Sequence, residues 1–176
     1  MLRRSLILGL VFVAVSSAAT LVQLSMDQMT QSATAIVRAT VTGSATSRTG
    51  SMIYTHYNLN VTDTLKGTAP AEVALPGGVA GGLRQSFPGV PQLQNGSEYV
   101  LFLWKSPSTG IIHLLGLTQG LFDVTGQSGS PTQISRARIG ETMLNASGQI
   151  VQDRAIRMTL DDLKLQVRQN LPPTKP

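Results

Sequence analysis

The stretch Met52–Lys66, with the sequence MIYTHYNLNVTDTLK, alternates apolar and polar side chains along nearly all of its length. The side chains expected to face the core are Ile53, Thr55, Tyr57, Leu59, Val61 and Leu65, and Asp63 is the exception on that side. A period of two over so many residues is typical of one long β-strand with a dry and a wet face. A strand of this length in a small domain usually coils, which favours a small barrel in which one strand serves two edges.

Shorter strand patterns lie on both sides of this stretch. They cover Ile36–Thr42, Glu72–Leu75, Glu98–Trp104, Ile111–Leu117 and Leu121–Val124. The segment 98–104 is almost wholly apolar, so we expect it to be covered on both faces and to form a hairpin with 111–117. The segment 43–51, rich in Ser, Thr and Gly, is predicted to be a loop. A weaker hairpin is expected to turn at 145–148.

Helix signals stand near both ends of the chain. Ser25 followed by Gln28 matches a capping box, and Met26, Met29 and Ala33 recur at helical spacing, which predicts a helix of about two turns. Thr159 is the expected cap of a second helix, 159–171. Its apolar face would consist of Leu160, Leu163, Val167 and Leu171. Asp161 and Asp162 suit the positive N-terminus of such a helix.

These patterns predict a mainly β fold with a minor α component. We expect a small barrel, closed or partly open, of roughly five or six strands, with a short N-terminal helix and a C-terminal helix. No repeat or long linker divides the chain, so residues 20–176 are predicted to form a single domain.

Residues 1–19 have the pattern of a cleavable export signal. Arg3 and Arg4 form a positive start, Leu6–Val15 is an apolar run, and small residues lead up to a cleavage site near Ala19. The apolar run is shorter than the ~20 residues that cross a bilayer, so no membrane attachment is expected after cleavage. The sequence therefore predicts a secreted or periplasmic protein.

Composition narrows the possible partners. The chain has 176 residues, a formal charge of +5 and no cysteine, so it forms neither disulfides nor thiolate metal sites. Without Arg3 and Arg4 the charge falls to +3 (5 − 2), and the remaining basic residues are scattered. Nucleic-acid binders concentrate basic residues among aromatic ones, so a nucleic-acid partner is not expected.

The order of several short motifs is similar to that of known proteins. The motifs are LSMD at 24–27, AIVRATV at 35–41, a long strand that starts with IYT at 53–55 and ends in LKG at 65–67, PGG at 76–78, GSEYVLFL at 96–103 and GLTQG at 116–120. Over about residues 22–125 this order resembles a group of small exported bacterial proteins without assigned function. More remotely it resembles the netrin/TIMP-like module, an OB-type barrel, which implies a five-stranded barrel with flanking helices. Inhibitors of the TIMP kind bind the protease zinc through an N-terminal cysteine, and the absence of cysteine here removes that mechanism.

The candidate binding surface is the irregular stretch 76–97. Its expected contact residues are Gly77, Gly78, Gly81, Gly82, Arg84 and Phe87. The glycine tract lacks the Lys-Ser/Thr ending of a phosphate loop, so we expect a flexible or bulged loop at a barrel rim. Long loops in compact domains are often functional. Arg84 would be the charged contact and Phe87 the apolar one, although Phe87 would equally suit a plug at the barrel end.

No residue pattern in the sequence indicates a catalytic site, a metal site or a cofactor site. His56 and His113 are the two histidines, and no HExxH spacing or nucleophile elbow accompanies them. Tyr99 and Trp104 are expected to pack in the core. We therefore expect no catalytic residues, no metal ligands and no cofactor.

The sequence favours an exported, non-catalytic binding module whose partner is a protein or another extracellular or periplasmic ligand. One alternative is a protease-associated or protease-inhibitor-like module, which depends on the remote resemblance alone. Another is a small hydrolase that uses His56 or His113 with a nearby Asp or Ser, because triads assemble from residues distant in sequence.

Overall fold

The computed structural model describes residues 20–126 and 129–171, so the predicted leader lies outside the described residues. The strands are β1 (Thr20–Val22), β2 (Ala35–Thr49), β3 (Met52–Lys66), β4 (Glu72–Pro76), β5 (Gly78–Ala80), β6 (Leu83–Gln85), β7 (Glu98–Lys105), β8 (Ile112–Leu114), β9 (Leu121–Thr125), β10 (Gln133–Arg136), β11 (Thr142–Leu144), β12 (Ile150–Val151) and β13 (Ile156–Thr159). The helices are α1 (Met26–Ser32), α2 (Leu160–Asn170) and a 3-10 turn (Leu117–Gly120). The prediction of a mainly β chain with two helices is confirmed.

Most strands belong to one antiparallel sheet. Its order is β13-β10-β9-β7-β2-β3-β4, and β8 pairs with β7 outside this path. The predicted hairpins β7–β8 and β11–β12 are both present. A small second sheet joins β12 to β11 and β11 to β1, and the strands β1 and β11 run parallel.

β2 and β3 form a long two-stranded ribbon. Their pairing continues to Thr49 and Met52, which flank a two-residue turn at Gly50 and Ser51. Gly50 has φ 61°, a conformation that tight hairpin turns require and glycine adopts without strain. The prediction of a loop over 43–51 is therefore wrong. Pairing with β3 outweighs the weak strand propensity of Gly, Ser and Ala in this segment.

A bulge in β3 explains why Asp63 breaks the alternation. In the register with β2, Thr62 is an extra residue between Val61 and Asp63. An extra residue shifts the following side chains to the opposite face of the sheet. Val61 accordingly packs in the core on one face, whereas Asp63 forms an ion pair of 2.6 Å with Lys164 of α2 on the other.

The large sheet does not close into a barrel through strand pairing among the described residues. Its path ends at β13 and at β4, although β4 and β8 approach each other and the Nδ1 atom of His113 lies 3.2 Å from the carbonyl oxygen of Ala74. The strand predicted over 111–117 is cut short because Gly116 takes a left-handed conformation, φ 61°, and the 3-10 turn follows. The closed barrel and its strand number are therefore not confirmed.

Apolar side chains cover both faces of the sheet. One cluster consists of Ala35, Val37, Ala39, Val41, Tyr57, Val73, Leu75, Leu93, Tyr99, Leu101, Leu103 and Leu114. The second lies under the helices and consists of Met29, Ala33, Ile36, Val100, Phe102, Phe122, Ile134, Leu160, Leu163 and Val167. Successive residues of β7 enter the two clusters in turn, as expected for an apolar strand covered on both sides.

Both helices begin at the predicted caps. The Ser25 hydroxyl accepts a hydrogen bond from the Gln28 amide, and the Gln28 side chain accepts one from the Ser25 amide. Thr159 and Asp162 make the equivalent reciprocal pair at α2. The predicted apolar face of α2 is confirmed, because its members at 160, 163 and 167 are buried and Leu171 packs against them.

Two of the short motifs have structural roles. In GLTQG, the side chain of Gln119 is 1% exposed; its oxygen accepts from the Leu24 amide at 2.8 Å and its nitrogen donates to the Val22 carbonyl at 2.9 Å. In LKG, Lys66 is the last residue of β3 and donates to the carbonyl of Thr30 in α1 at 2.6 Å. Burial lowers the pKa of Lys66. These contacts hold the N-terminal segment on the sheet.

Candidate functional site

The glycine tract predicted as a flexible or bulged loop is an ordered β-hairpin. β5 and β6 pair from Gly78 with Gln85 to Ala80 with Leu83, and the two residues between them are Gly81 and Gly82. Both of these glycines have positive φ, 58° and 75°, which is the requirement of a type I′ turn. The loop expectation is therefore wrong here, because a Gly-Gly pair between short strands is itself a hairpin signal.

Side-chain hydrogen bonds hold this hairpin on the β2–β3 ribbon. Gln85 accepts from the Ile53 amide at 2.7 Å and donates to the Ser51 carbonyl at 2.7 Å. Thr46 donates to the carbonyl of Val79 at 2.6 Å. The hydrogen bonds of Gln85 and Thr46 thus fix the hairpin to the ribbon, in addition to the backbone pairing between β5 and β6.

Gly77 and Gly78 allow the close approach between hairpin and ribbon. Both have positive φ, 106° and 132°. A Cβ atom on Gly78 would lie 2.8 Å from the hydroxyl of Thr55 and 2.9 Å from the methyl group of Thr46, closer than side chains tolerate. The structure therefore places these two glycines at the base of the hairpin and Gly81 and Gly82 at its tip.

The hairpin and the loop after it expose three apolar side chains and one cation. Val79 is 50% exposed, Leu83 51% and Phe87 37%. Arg84 stands directly opposite Val79, so both side chains lie on one face, while Leu83 points to the other by alternation. Arg84 has no ion-pair partner in the described part of the chain.

Two small cavities adjoin this surface. The first, of about 90 Å³, is lined by Thr55, Tyr57, Leu75, Pro76, Gly77, Gly78, Gln85, Ser86, Phe87, Val90, Pro91 and Gln92. The second, of about 180 Å³, is lined by Gly78, Val79, Arg84, Gln85, Ser86 and Gln92. Four lining residues are shared, so the cavities are neighbours. The structure thus brings the predicted site residues Gly77, Gly78, Arg84 and Phe87 to one region.

Phe87 lines the first cavity, and residues after it fill the neighbouring core. Leu93 is buried with the β2–β3–β4–β7–β8 cluster, and Val90 packs against the same cluster. Tyr57, at the floor of the first cavity, is 7% exposed, and this burial raises the pKa of its hydroxyl. The loop 86–97 therefore packs its middle against the sheet and leaves Phe87 at the surface.

A hydrogen-bonded row of Ser47, His56 and Glu72 lies on three adjacent strands. The Nε2 atom of His56 is 2.8 Å from the Ser47 hydroxyl, and its Nδ1 atom is 3.0 Å from a carboxylate oxygen of Glu72. The ring of Tyr54 lies beside that of His56, with 6.5 Å between the ring centroids. Sequence analysis identified His56 but missed both partners, which the strand register brings to it.

The remaining aromatic candidates divide between core and surface. Tyr99 is 5% exposed, as predicted, and its hydroxyl accepts a hydrogen bond from the Gln94 amide. Trp104, also predicted to pack in the core, is 38% exposed, and that prediction is wrong. The cluster under the helices includes Val100 and Phe102 of β7 but not Trp104, whose ring stacks on that of His113 with 6.2 Å between the ring centroids.

The described residues contain neither a metal-binding cluster nor a membrane-spanning helix. Over residues 20–126 and 129–171, no three His, Asp or Glu side chains are close enough together to hold a metal ion. Neither α1 nor α2, nor any other helix within those ranges, has the length and apolarity needed to cross a bilayer.

Arg136 and Asp153 form a buried ion pair, 2.7 Å apart. Asp153 also accepts a hydrogen bond from the Ile139 amide, so this pair belongs to the scaffold.

Comparison with known proteins adds no relative to this description. Among family models, curated proteins and solved structures, none matches the chain.

Proposed function

We propose that this protein is an exported binding module that contacts a partner protein through the surface formed by the β5–β6 hairpin and Phe87. The observation that carries the proposal is that one small hairpin and the loop after it expose three apolar side chains, Val79, Leu83 and Phe87, with Arg84 beside Val79. Phe and Arg are both enriched at the core of protein interfaces, and Arg is among the residues that most often dominate the binding energy.

Rigidity of the hairpin supports this function. The Gly81–Gly82 turn and the hydrogen bonds of Gln85 and Thr46 hold the hairpin in one conformation before any partner arrives. A surface that is already ordered loses less conformational entropy on binding, so more of the contact energy contributes to affinity. Arg84 favours a partner that brings a carboxylate to this surface, because a desolvated guanidinium needs an acceptor.

We also propose that the protein is exported and that its scaffold is a partly open OB-like barrel. The leader pattern of residues 1–19 supports export, and the approach of β4 to β8 supports a barrel that a side-chain contact completes. The netrin/TIMP-like resemblance remains a proposal about the scaffold alone. N-terminal sequencing of the protein from the exported fraction tests the leader, and a start at Met1 would contradict it.

The binding function is tested by quantitative capture from the exported protein fraction. The wild type is compared with the triple variant Val79→Ser/Leu83→Ser/Phe87→Ser and with Arg84→Ala. The control is Ile150→Ser, which removes a side chain that is 76% exposed on β12, in a different sheet from the hairpin. We expect a specific partner with wild type and control and little of it with the hairpin variants. Equal capture by all four proteins, or none, would contradict the proposal.

A further inference from the structure

The geometry points to a second activity on this chain, namely ester hydrolysis by Ser47, His56 and Glu72. The three residues belong to β2, β3 and β4, and each is a diagonal neighbour of the next across the sheet: Ala45 pairs with His56, and Asn58 pairs with Glu72. Diagonal neighbours are close enough for long polar side chains to meet. Flanking strands thus set the spacing of all three groups.

The hydrogen-bond pattern determines which ring nitrogen of His56 carries the hydrogen. A carboxylate only accepts hydrogen bonds, so the Nδ1 atom that faces Glu72 carries a hydrogen. In the neutral ring the Nε2 atom is then an acceptor, and the Ser47 hydroxyl donates to it across 2.8 Å. This is the tautomer in which an imidazole removes a proton from a serine hydroxyl.

One backbone donor is available beside the nucleophile. The amide of Ile53 donates to Gln85 and its carbonyl accepts from Gly77, so both of its main-chain groups point away from β2. Arg48 is the partner of Ile53 in the register, and its amide therefore points away from β3. After Val41, β2 pairs with β3 alone among the described strands. The amide that follows Ser47 is thus free to stabilise a developing oxyanion.

The reaction balances without any additional reactant except water. The Ser47 oxygen bonds to the ester carbonyl carbon while its proton passes to the Nε2 atom of His56, and Glu72 stabilises the imidazolium. The bond to the leaving alcohol then breaks, and that alcohol takes the proton from Nε2. Water attacks the acyl-serine by the same route, releases the carboxylic acid and restores Ser47.

Tyr54 indicates the class of ester. It is the direct cross-strand partner of Ser47, so both side chains lie on one face, and its ring also neighbours that of His56. An aromatic ring beside the nucleophile favours a substrate with a flat apolar group, such as an aryl ester. This face is open, and general-base catalysis by itself contributes about 10²–10⁴-fold, so we expect slow turnover.

The site lies on the opposite face of the ribbon from the proposed binding surface. Thr46 and Thr55, which hold the hairpin, alternate along their strands with Ser47 and Tyr54. The two functions can therefore be tested separately.

The test uses p-nitrophenyl acetate as the probe, with release of nitrophenolate as one readout and mass spectrometry of the trapped protein as the other. We expect acetylation at Ser47 and a hydrolysis rate at least about 10²-fold above that of Ser47→Ala. Tyr54→Ala should raise KM for the aryl ester by about 2- to 10-fold with little change in kcat. Glu72→Gln should lower kcat, because the amide no longer fixes the tautomer.

Two control variants separate this mechanism from unspecific imidazole catalysis. Ser44→Ala removes another exposed serine, three residues earlier on the other face of β2, and His113→Asn removes the other imidazole. Ser44→Ala should hydrolyse the probe at the wild-type rate, and His113→Asn, which removes a ring 5.9 Å from that of Tyr54, should keep the wild-type kcat. The inference is overturned if Ser47→Ala retains the wild-type rate, if the acetyl group is found elsewhere, or if His113→Asn abolishes the activity.

Discussion

Replacement of Gln85 by alanine should release the β5–β6 hairpin while the sheet stays folded. The wild-type side chain makes two hydrogen bonds of 2.7 Å, to the Ile53 amide and to the Ser51 carbonyl. Each such bond contributes about 1 kcal/mol net, so their loss should cost about 2 kcal/mol in local opening. Since every 1.4 kcal/mol is a factor of ten, the Ile53 amide should exchange its hydrogen about 30-fold faster.

Hydrogen exchange measured residue by residue by NMR gives this number directly. Gln92→Ala is the matched control, because Gln92 is exposed, lines the same two cavities and makes no side-chain hydrogen bond within the described residues. Amides in β7 should exchange at the wild-type rate in both variants. Unchanged exchange at Ile53 in Gln85→Ala would refute the claim that this side chain fixes the hairpin, as would equal acceleration in the control.

Three further predictions concern stability. Gln119→Ala should lower the free energy of unfolding, measured by urea titration, by about 3 kcal/mol, because it leaves two backbone groups unpaired and a space in the core. An effect below ~1 kcal/mol would contradict the role assigned to this side chain. Thr159→Ala should cost about 1 kcal/mol through loss of the α2 cap, and Thr159→Ser should restore most of it. Burial raises the pKa of Tyr57, so above about pH 10 the unfolded chain loses this proton before the folded chain does, and the free energy of unfolding should fall as pH rises. Tyr57→Phe should show a smaller fall in unfolding experiments between about pH 8 and 11. A steeper fall in Tyr57→Phe would show that the burial argument has the wrong sign.

The elements that sequence analysis predicted well depend on contacts between neighbours in the chain. Both helix caps join residues three apart, Ser25 with Gln28 and Thr159 with Asp162, so their partners are visible in any short window. The apolar character of 98–104 likewise predicted a strand covered on both faces without knowledge of what covers it.

The errors occur where a distant segment decides the conformation. The end of β2 has the composition of a loop and becomes a strand because β3 supplies its hydrogen bonds. Trp104 continues the apolar run of β7, but the cluster under the helices ends at Phe102 on that strand, and Trp104 is 38% exposed. Closure of the barrel depends on β4 and β8, which are distant in sequence and approach each other at His113 and Ala74 without strand pairing.

The site shows the same division. Sequence analysis named Arg84 and Phe87 for the first surface and His56 as a possible catalytic residue, because each is chemically distinctive in its own segment. It did not find Ser47 or Glu72, which are ordinary polar residues until the register places them beside the imidazole.

The sequence by itself determined the mainly β class, the two capped helices and the alternation of β3, since these follow from local propensity and from the period of the apolar residues. Only the tertiary structure decided the ordered hairpin on the ribbon, the open sheet and the row of three polar side chains. These depend on register between strands far apart in the chain, and a shift of one residue would turn each side chain to the opposite face.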